Sequence, residues 1–355
     1  MRAATRRITL ALRHPFGISR GTVDALPTVL TALVDDDDQV IGIGEAAPVR
    51  YLGQRVDAIE AAIPRLAAAI DGDLDDPAAV SARLGRVPAP SAARAAVDLA
   101  LWDAAARRRG APLHRLLGAP APGGVTSYTI ALDDLEAMEA RAREAADLPI
   151  LKVKLGRDPD FDRAALDRIA AAAPRARLRI DANGGWSPDL APAMITACAA
   201  IGERRGVVIE MIEAPLPRGA LDQLRTLRRG SPLPIFADED ALDVSDLEGL
   251  HGAVDGINIK LAKCGGLTGA LAMIAWARAE GWSILLGCMI ESRIGLAAAC
   301  HLTGLVDAID LDAHLLTADD PVAPGSATVL DAAIPWIEGP GLGPAPPLPG
   351  DERPV

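Results

Sequence analysis

The sequence predicts an α/β protein, a parallel (β/α)7β barrel of eight strands behind a smaller α+β unit, and three observations predict it. At 355 residues the chain exceeds a typical single core, so a large barrel with a smaller companion is a more natural division than one body. After the Pro/Gly-rich joint Ala119 to Gly124 the texture changes to a repeated strand, turn, helix alternation. In the second strand of that alternation, Ile150 to Leu155 reads ILKVKL, and Lys152 and Lys154 point to one face. Lysine is almost never fully buried unless paired, so carboxylates or a bound anion should converge on the same point.

In the amino-terminal unit Ile8 to Leu12, Thr28 to Val34 and Val40 to Ile43 read as strands, with the acidic run Asp35 to Asp38 at a solvated hairpin turn. Gly42-Ile43-Gly44-Glu45-Ala46-Ala47 imitates a dinucleotide fingerprint, but Pro48 follows at once and no helix opens there. Arg55 to Ile70, Asp76 to Leu84 and Ser91 to Arg109 read as helices, the last with Ser91 as N-cap and Gly110 as stop. On that helix Ala95, Leu99 and Trp102 share a face and read as packing. A strand meander followed by helices makes an α+β unit over residues 1–118.

Residues 119–322 carry the barrel. Its candidate strands are Val125 to Ala131, Ile150 to Leu155, Leu178 to Asp181, Val208 to Ile212, Ile235 to Ala237, Gly256 to Leu261, Ser283 to Leu286 and Ala308 to Leu311. Eight strands over about 190 residues, each apart from the last followed by helix-forming sequence, is what a parallel barrel requires. Residues 323–355 are expected to pack back on the amino-terminal unit, with the Pro- and Gly-rich tail from Gly339 onward at the surface.

Composition narrows the function. The net charge of -12 argues against nucleic acid or an anionic membrane as partner, and no apolar run reaches the length of a membrane span. Arg13 and His14 cut the first apolar patch below the length of a signal-peptide core, so the start reads as a strand. Cys198, Cys264, Cys288 and Cys300 form no CxxC pair, and a cytoplasmic protein with four reduced thiols is expected. The five histidines have no zinc-site spacing. A homo-oligomer is among the assemblies the composition allows.

Polar residues interrupt the barrel pattern at the carboxyl ends of successive strands, which is the active face of such a barrel. The second strand carries Lys152 and Lys154, the third ends in Asp181 with Asn183 beyond, the fourth runs into Glu213, the fifth into Asp238 and Glu239, and the sixth carries Lys260. A single acid after a strand is as readily an N-cap or turn residue as a ligand. Here three recur one per unit, 32 and 25 residues apart (181 to 213, 213 to 238), flanked by lysines on the strands before and after. Three converging carboxylates repel one another unless a divalent cation sits among them, and oxygen-only ligands point to Mg²⁺ or Mn²⁺. Lysines facing each other across such a site imply proton transfer at a carbon next to a carboxylate, through an enediolate that cation and ammonium stabilise. Enolase-superfamily sites are a described instance of this chemistry. The facing cations and the metal should depress the lysine pKa values.

The chain resembles the enolase superfamily, its muconate lactonizing enzyme subgroup and, within it, the dipeptide epimerases of the L-Ala-D/L-Glu type. The likeness runs from Pro15-Phe16 to Arg20-Gly21 and Gly44-Glu45 through AARAAVDLALWDAAARR, the KVK strand, DANGGW from Asp181, Glu213-Ala214-Pro215, ADED, NIKLAKCGG, GCMIES and Asp310-Leu311-Asp312. It implies an enolase-like barrel with a capping domain. It further implies that Asp181, Glu213 and Asp238 bind Mg²⁺, that Lys154 and Lys260 are the acid/base pair of a 1,1-proton transfer, and that Lys152 steers the substrate carboxylate. In dipeptide epimerases the pair corresponding to Asp310 and Asp312 receives the free ammonium of the dipeptide, and Arg20 resembles a residue placed to meet a glutamyl side chain. Ala214, Asp240 and His314 depart from the usual pattern, the last two where specificity is set. Racemisation of N-succinylamino acids, o-succinylbenzoate synthesis and muconate cycloisomerisation use the same metal and lysines, but their substrates lack the ammonium. A non-catalytic binding barrel would have lost a base or a ligand, and none is missing.

Overall fold

A computed structural model describes residues 1–70, 74–320, 332–335, 337 and 339–343. The amino-terminal unit is an antiparallel sheet of β1 (Arg2–Ile18), β2 (Gly21–Val34) and β3 (Val40–Ala46) in that order, covered by α1 (Val56–Ala68), α2 (Pro77–Leu84) and α3 (Ser91–Arg108). The strands run past the expected segments, because β1 and β2 continue beyond the sheet as a long hairpin whose tip is Ile18 to Gly21. The acidic turn is where it was expected, with Asp35 Oδ1 accepting from the backbone of Asp37 and Gln39. Gly42 and Gly44 let α3 lie directly on β3, since a Cβ at either would meet the carbonyl of Ala100 or Ala96. That close approach gives the fingerprint-like pattern its physical reason.

The chain then passes through α4 (Leu113–Leu116) into β4 (Tyr128–Ile130), α5 (Leu135–Glu144), β5 (Ile150–Lys154), α6 (Pro159–Ala172), β6 (Arg177–Asp181), α7 (Ala191–Arg205), β7 (Ile209–Glu213), α8 (Leu221–Gly230) and β8 (Ile235–Ala237). It continues with β9 (Gly256–Lys260), α9 (Leu261–Cys264), α10 (Leu267–Ala279), β10 (Ser283–Gly287), α11 (Arg293–Cys300), β11 (Ala308–Asp310) and α12 (Ala313–Leu316). The eight strands β4 to β11 are parallel and lie in sequence order. A single bridge, Thr126 to Ile309, closes the barrel, reinforced by Ser127 N donating to Ile309 O at 3.1 Å. Asp134 and Asp158 cap α5 and α6, their carboxylates accepting from the backbone of Ala137 and Phe161.

Four local expectations are corrected. The first barrel strand is shorter than Val125 to Ala131, because Thr126 N bonds Ala332 O instead of a neighbouring strand. Between β8 and β9 the connection is 3₁₀, Val244–Leu250, opened by a capping box of Asp243 and Asp246. Ser91 is not an N-cap: Pro90 holds that position, and Ser91 Oγ instead donates to Ala262 O at 2.8 Å. The tail is not at the surface throughout, since Gly341 to Gly343 are buried and Leu342 N donates to Asp103 Oδ1 at 2.8 Å. Residues 323–331 and 344–355 lie outside the described residues.

Polar groups join the amino-terminal unit to the barrel. Glu45 accepts from Thr28 Oγ1, from Ser292 N and Oγ, and from Gly295 N, so its buried carboxylate is satisfied at the start of α11. Asp98 on α3 accepts from Thr268 N and Oγ1 on α10. No helix among the described residues is long and apolar enough to cross a membrane.

Candidate active site

Alternation along β5 places Lys152 and Lys154 inside the barrel, and register pairs Lys154 with Asp181 and Asp181 with Glu213 on the next two strands. All three are therefore on one level at the carboxyl end. Lys154 Nζ donates to Asp181 Oδ2 at 2.5 Å. Lys152 Nζ lies 2.7 Å from Glu213 Oε2, 2.7 Å from Asp310 Oδ2 and 3.4 Å from Asp181 Oδ2, and at 1% exposure it is among the largest fully buried side chains. Across the barrel, Lys260 Nζ donates to Asp238 Oδ2 at 2.9 Å. Strands β5 and β9 are four apart in a closed ring of eight, so Lys154 and Lys260 approach from opposite walls.

The carboxylates could hold a hard cation. Ligand oxygens of Asp181, Glu213 and Asp238 all lie within 4.8 Å of one another, and all three residues are buried. Glu213 Oε2 accepts no well-directed hydrogen bond despite the nearby ammonium, and Asn183 Oδ1 is likewise unpartnered. A buried carboxylate oxygen and a buried amide oxygen in that state suit a hard cation such as Mg²⁺ or Mn²⁺. Two non-glycine residues beside them adopt positive φ, Asn183 at 45° and Ala214 at 43°. Such strain of order 1 kcal/mol or more persists where the surroundings fix the backbone. Here it bends the chain away just past Asp181 and Glu213.

Electrostatics divides the acids. Burial pushes Glu213 up to about 7, with Asp181 adding repulsion. For Asp181 burial pushes the same way, but Lys154 and Lys152 outweigh it and the carboxyl falls below its ordinary value. Asp238 is driven well down by Lys260 and Lys263 against the effect of burial. Burial lowers the ammonium of Lys152, yet Asp310, Glu213 and Asp181 more than reverse this, and Asp238 does the same for Lys260. Within the chain alone these two lysines are raised; the expected depression includes the charge of a bound metal. The chain's own carboxylates outweigh burial, and the charge of a bound cation would act against them.

The closing pair separates in the same way. Asp310 has both oxygens engaged, Oδ1 by Ser127 Oγ at 2.5 Å and Oδ2 by Lys152. Asp312 Oδ2 accepts from Thr129 N at 2.7 Å and, among the described residues, forms no ion pair of its own. Burial and Asp310 push it up to about 6. Both aspartates line a cavity of about 450 Å³ that also touches Lys152, Lys154, Asp238 and Lys260.

The hairpin tip of β1 and β2 covers this cavity. Ser19 Oγ and Arg20 Nη1 donate to Asn183 O at 2.9 and 2.7 Å, and Arg20 Nη2 pairs with Glu239 Oε1 at 2.7 Å. Arg20 thus reaches the cavity as expected but is already neutralised there. The roles of two further acids become visible: Glu239 holds Arg20, and Asp240 accepts from Gly219 N. Sequence reasoning missed Asn258, whose Nδ2 donates to Glu213 Oε1 at 2.7 Å, although its spacing of two from Lys260 places it on the same face. It also missed Lys263. Cys288 lines the cavity, whereas Cys264 does not.

An eight-stranded barrel carrying three clustered buried carboxylates between facing lysines, joined to an α+β unit, defines a class of two-unit barrel enzymes. The chain belongs to the mandelate racemase/muconate lactonizing enzyme family of the enolase superfamily. Residues 2–118 match the family described as "Mandelate racemase / muconate lactonizing enzyme, N-terminal domain", and residues 135–346 match "Enolase C-terminal domain-like". A "Hydrophobic dipeptide epimerase" from a Flavobacteria bacterium is 35% identical over 94% of this chain and 95% of its own. The structure of a substrate-liganded L-Ala-D/L-Glu epimerase from Bacillus subtilis is similar with a TM-score of 0.91 at 32% identity, covering 98% of this chain and 99% of the other. A dipeptide epimerase from Enterococcus faecalis, complexed with Mg and L-Leu-L-Tyr, has a TM-score of 0.90 at 29% identity, covering 96% and 98%.

Proposed function

We propose that this chain is a Mg²⁺-dependent dipeptide epimerase that inverts the α-carbon of the carboxy-terminal residue of a dipeptide. The observation that carries the reading is the placement of Lys154 and Lys260 on opposite walls of one cavity, each against its own carboxylate. One lysine takes the α-proton, leaving its electron pair on the substrate carboxylate as an enediolate, and the other returns a proton to the opposite face. Lys152 steers the substrate carboxylate. Asp181, Glu213 and Asp238 hold the divalent cation, Mg²⁺ or alternatively Mn²⁺, which when bound supplies positive charge against the developing dianion. Asp310 and Asp312 receive the dipeptide's ammonium. In this reading residues 1–118 cap the barrel of residues 119–322, and residues 323–355 return to the cap.

For the carboxy-terminal side chain, L-Ala-D/L-Glu is the first choice and rests on Arg20 meeting the glutamyl carboxylate in exchange for Glu239. A second choice, an apolar side chain, is favoured by the Arg20–Glu239 pair itself and by the walls of Phe16, Ile18, Val23 and Leu26. The names of the Flavobacteria and Enterococcus relatives support it. N-succinylamino acids and the other subgroup substrates carry no ammonium for Asp312.

The test is incubation of L,L-dipeptides with protein and Mg²⁺ in heavy water, followed by mass spectrometry and chiral analysis, with a chelated control. Metal-dependent deuterium uptake with inversion at the carboxy-terminal α-carbon is expected. Comparing L-Ala-L-Glu with L-Ala-L-Leu decides the side chain. No uptake from any dipeptide would discard this substrate class.

A further inference from the structure

The mechanism above leaves one buried ammonium unused. Lys263 sits in the last turn of α9, three residues after Lys260, and its side chain is fully buried. Its three donors are all engaged, by Asp238 Oδ1 at 2.5 Å, Asp238 O at 2.8 Å and Asn258 O at 2.8 Å. It does not line the substrate cavity. It borders a separate cavity of about 470 Å³ between α1, α3 and the loop after β8, on the far side of Asp238. Asp238 is therefore held from two directions by two ammonium groups. Oδ2 faces Lys260 within the substrate cavity, and Oδ1 with the residue's own carbonyl is anchored from behind.

We propose that Lys263 is a positioning residue for the proton transfer, which fixes Asp238 so that its Oδ2 is presented to Lys260 and to the metal. The proposal rests on the reading of Lys154 and Lys260 as the two bases. A carboxylate with one oxygen and its backbone carbonyl both tied to a saturated ammonium has lost rotation about its side chain. Without that tie, Oδ1 and Asn258 O lose the ammonium and Asp238 O keeps only its bond from Ala241 N, so the carboxylate is free to turn both oxygens onto Lys260. The opposite wall does not depend on Lys263, because Asp181 Oδ1 is fixed by Asn183 N at 2.8 Å and its Oδ2 by Lys154. The consequence is one-sided. Loss of Lys263 should impair the half-reaction of Lys260 and spare that of Lys154.

The experiment compares α-proton exchange of the two epimers of one dipeptide in heavy water, at Mg²⁺ saturating for each variant. Lys154→Ala and Lys260→Ala first assign each epimer to the lysine that takes its proton. Lys263→Gln is then expected to slow exchange of the Lys260-served epimer at least tenfold more than that of the other, and Lys263→Arg to return the ratio to within threefold of wild type. A uniform loss, or none, would overturn the proposal. If Lys263→Gln fails to fold, Lys263→Arg decides, since it must keep the wild-type ratio. Calorimetric Mg²⁺ titration gives a readout without turnover: Lys263→Gln should bind at least fivefold more weakly, and unchanged or tighter binding would overturn the role. Absence of exchange in wild type would instead refute the epimerase reading and leave the titration to judge Lys263.

Discussion

The β5 wall and the β9 wall of the site solve one problem with different backbone geometry. Each presents two lysines to one aspartate, Lys152 and Lys154 to Asp181, and Lys260 and Lys263 to Asp238. On β5 the two are neighbours by strand alternation, so both face the barrel interior. On β9 the strand stops at Lys260 and a single helical turn carries Lys263 behind the aspartate. The β5 arrangement leaves a second ammonium in the cavity, against Glu213 and Asp310, while the β9 arrangement removes it from the cavity altogether. Pairs alike in charge are thereby unlike in what they can touch.

Replacing Lys154 and Lys260, the two proposed bases, is the sharpest way to test the equivalence of the walls. Lys154→Ala and Lys260→Ala should each lower epimerisation by roughly 10³-fold or more, with Mg²⁺ binding largely retained. Each variant should retain deuterium exchange for one epimer, and the retained epimer should differ between them. Retention of the same epimer in both would break the comparison.

The next largest effect concerns Lys152. Lys152→Met removes the ammonium from Glu213, Asp310 and Asp181 together, and losing one partner of a buried ionic cluster costs about 3–5 kcal/mol. Denaturant unfolding of the chelated protein would measure it. A divalent cation at about 100 times its dissociation constant should restore about 2.7 kcal/mol. If chelated wild type and variant unfold at the same denaturant concentration, Lys152 does not hold the carboxylates together.

A smaller, functional effect is expected at Asp312, beside the β5 wall. A hydrogen bond to a charged group is worth roughly 1.5–3 kcal/mol, so Asp312→Asn should raise the dipeptide KM roughly 10- to 100-fold and leave Mg²⁺ affinity unchanged. Burial and Asp310 push its carboxyl up to about 6, and in the proposed role only the ionised form would attract the ammonium. A dipeptide α-amino group stays protonated at and below that pH. KM should accordingly level off about one unit above pH 6 and rise as pH falls through it, a limb that Asp312→Asn should abolish. Persistence of the limb in the variant would assign it elsewhere.

The difference between the walls also explains how much was readable beforehand. The eight barrel strands and the lysines and acids at their ends were legible, because strand alternation and strand-end position fix direction with a period of two. The same rule reaches Lys152, Lys154 and Lys260. It does not reach Lys263, whose direction depends on where β9 ends and how the following turn is wound. Nor does it show that Arg20 is paired, since Glu239 is 219 residues away in sequence and meets it only through the hairpin tip. Ser91 failed for a related reason: it has the composition of an N-cap, but Ala262 O and Gln54 claim its hydroxyl.

That hydroxyl yields the mildest prediction and links the β9 wall to the cap. Ser91 Oγ donates to Ala262 O, within α9 itself, and accepts from Gln54 Nε2 at 2.8 Å. Hydrogen bonds of this kind contribute about 1 kcal/mol each, so Ser91→Ala should lower unfolding stability by about 1–2 kcal/mol. Because Ala262 immediately precedes Lys263, the loosened turn should slow exchange of the Lys260-served epimer by a fewfold and leave the other unchanged. The cap meets the other side of the barrel at the loop after β4, the neighbour of β5, where Leu132 N donates to Gly17 O. An equal loss at both epimers would show that the cap acts on the barrel as a whole, and the two walls would no longer be independent.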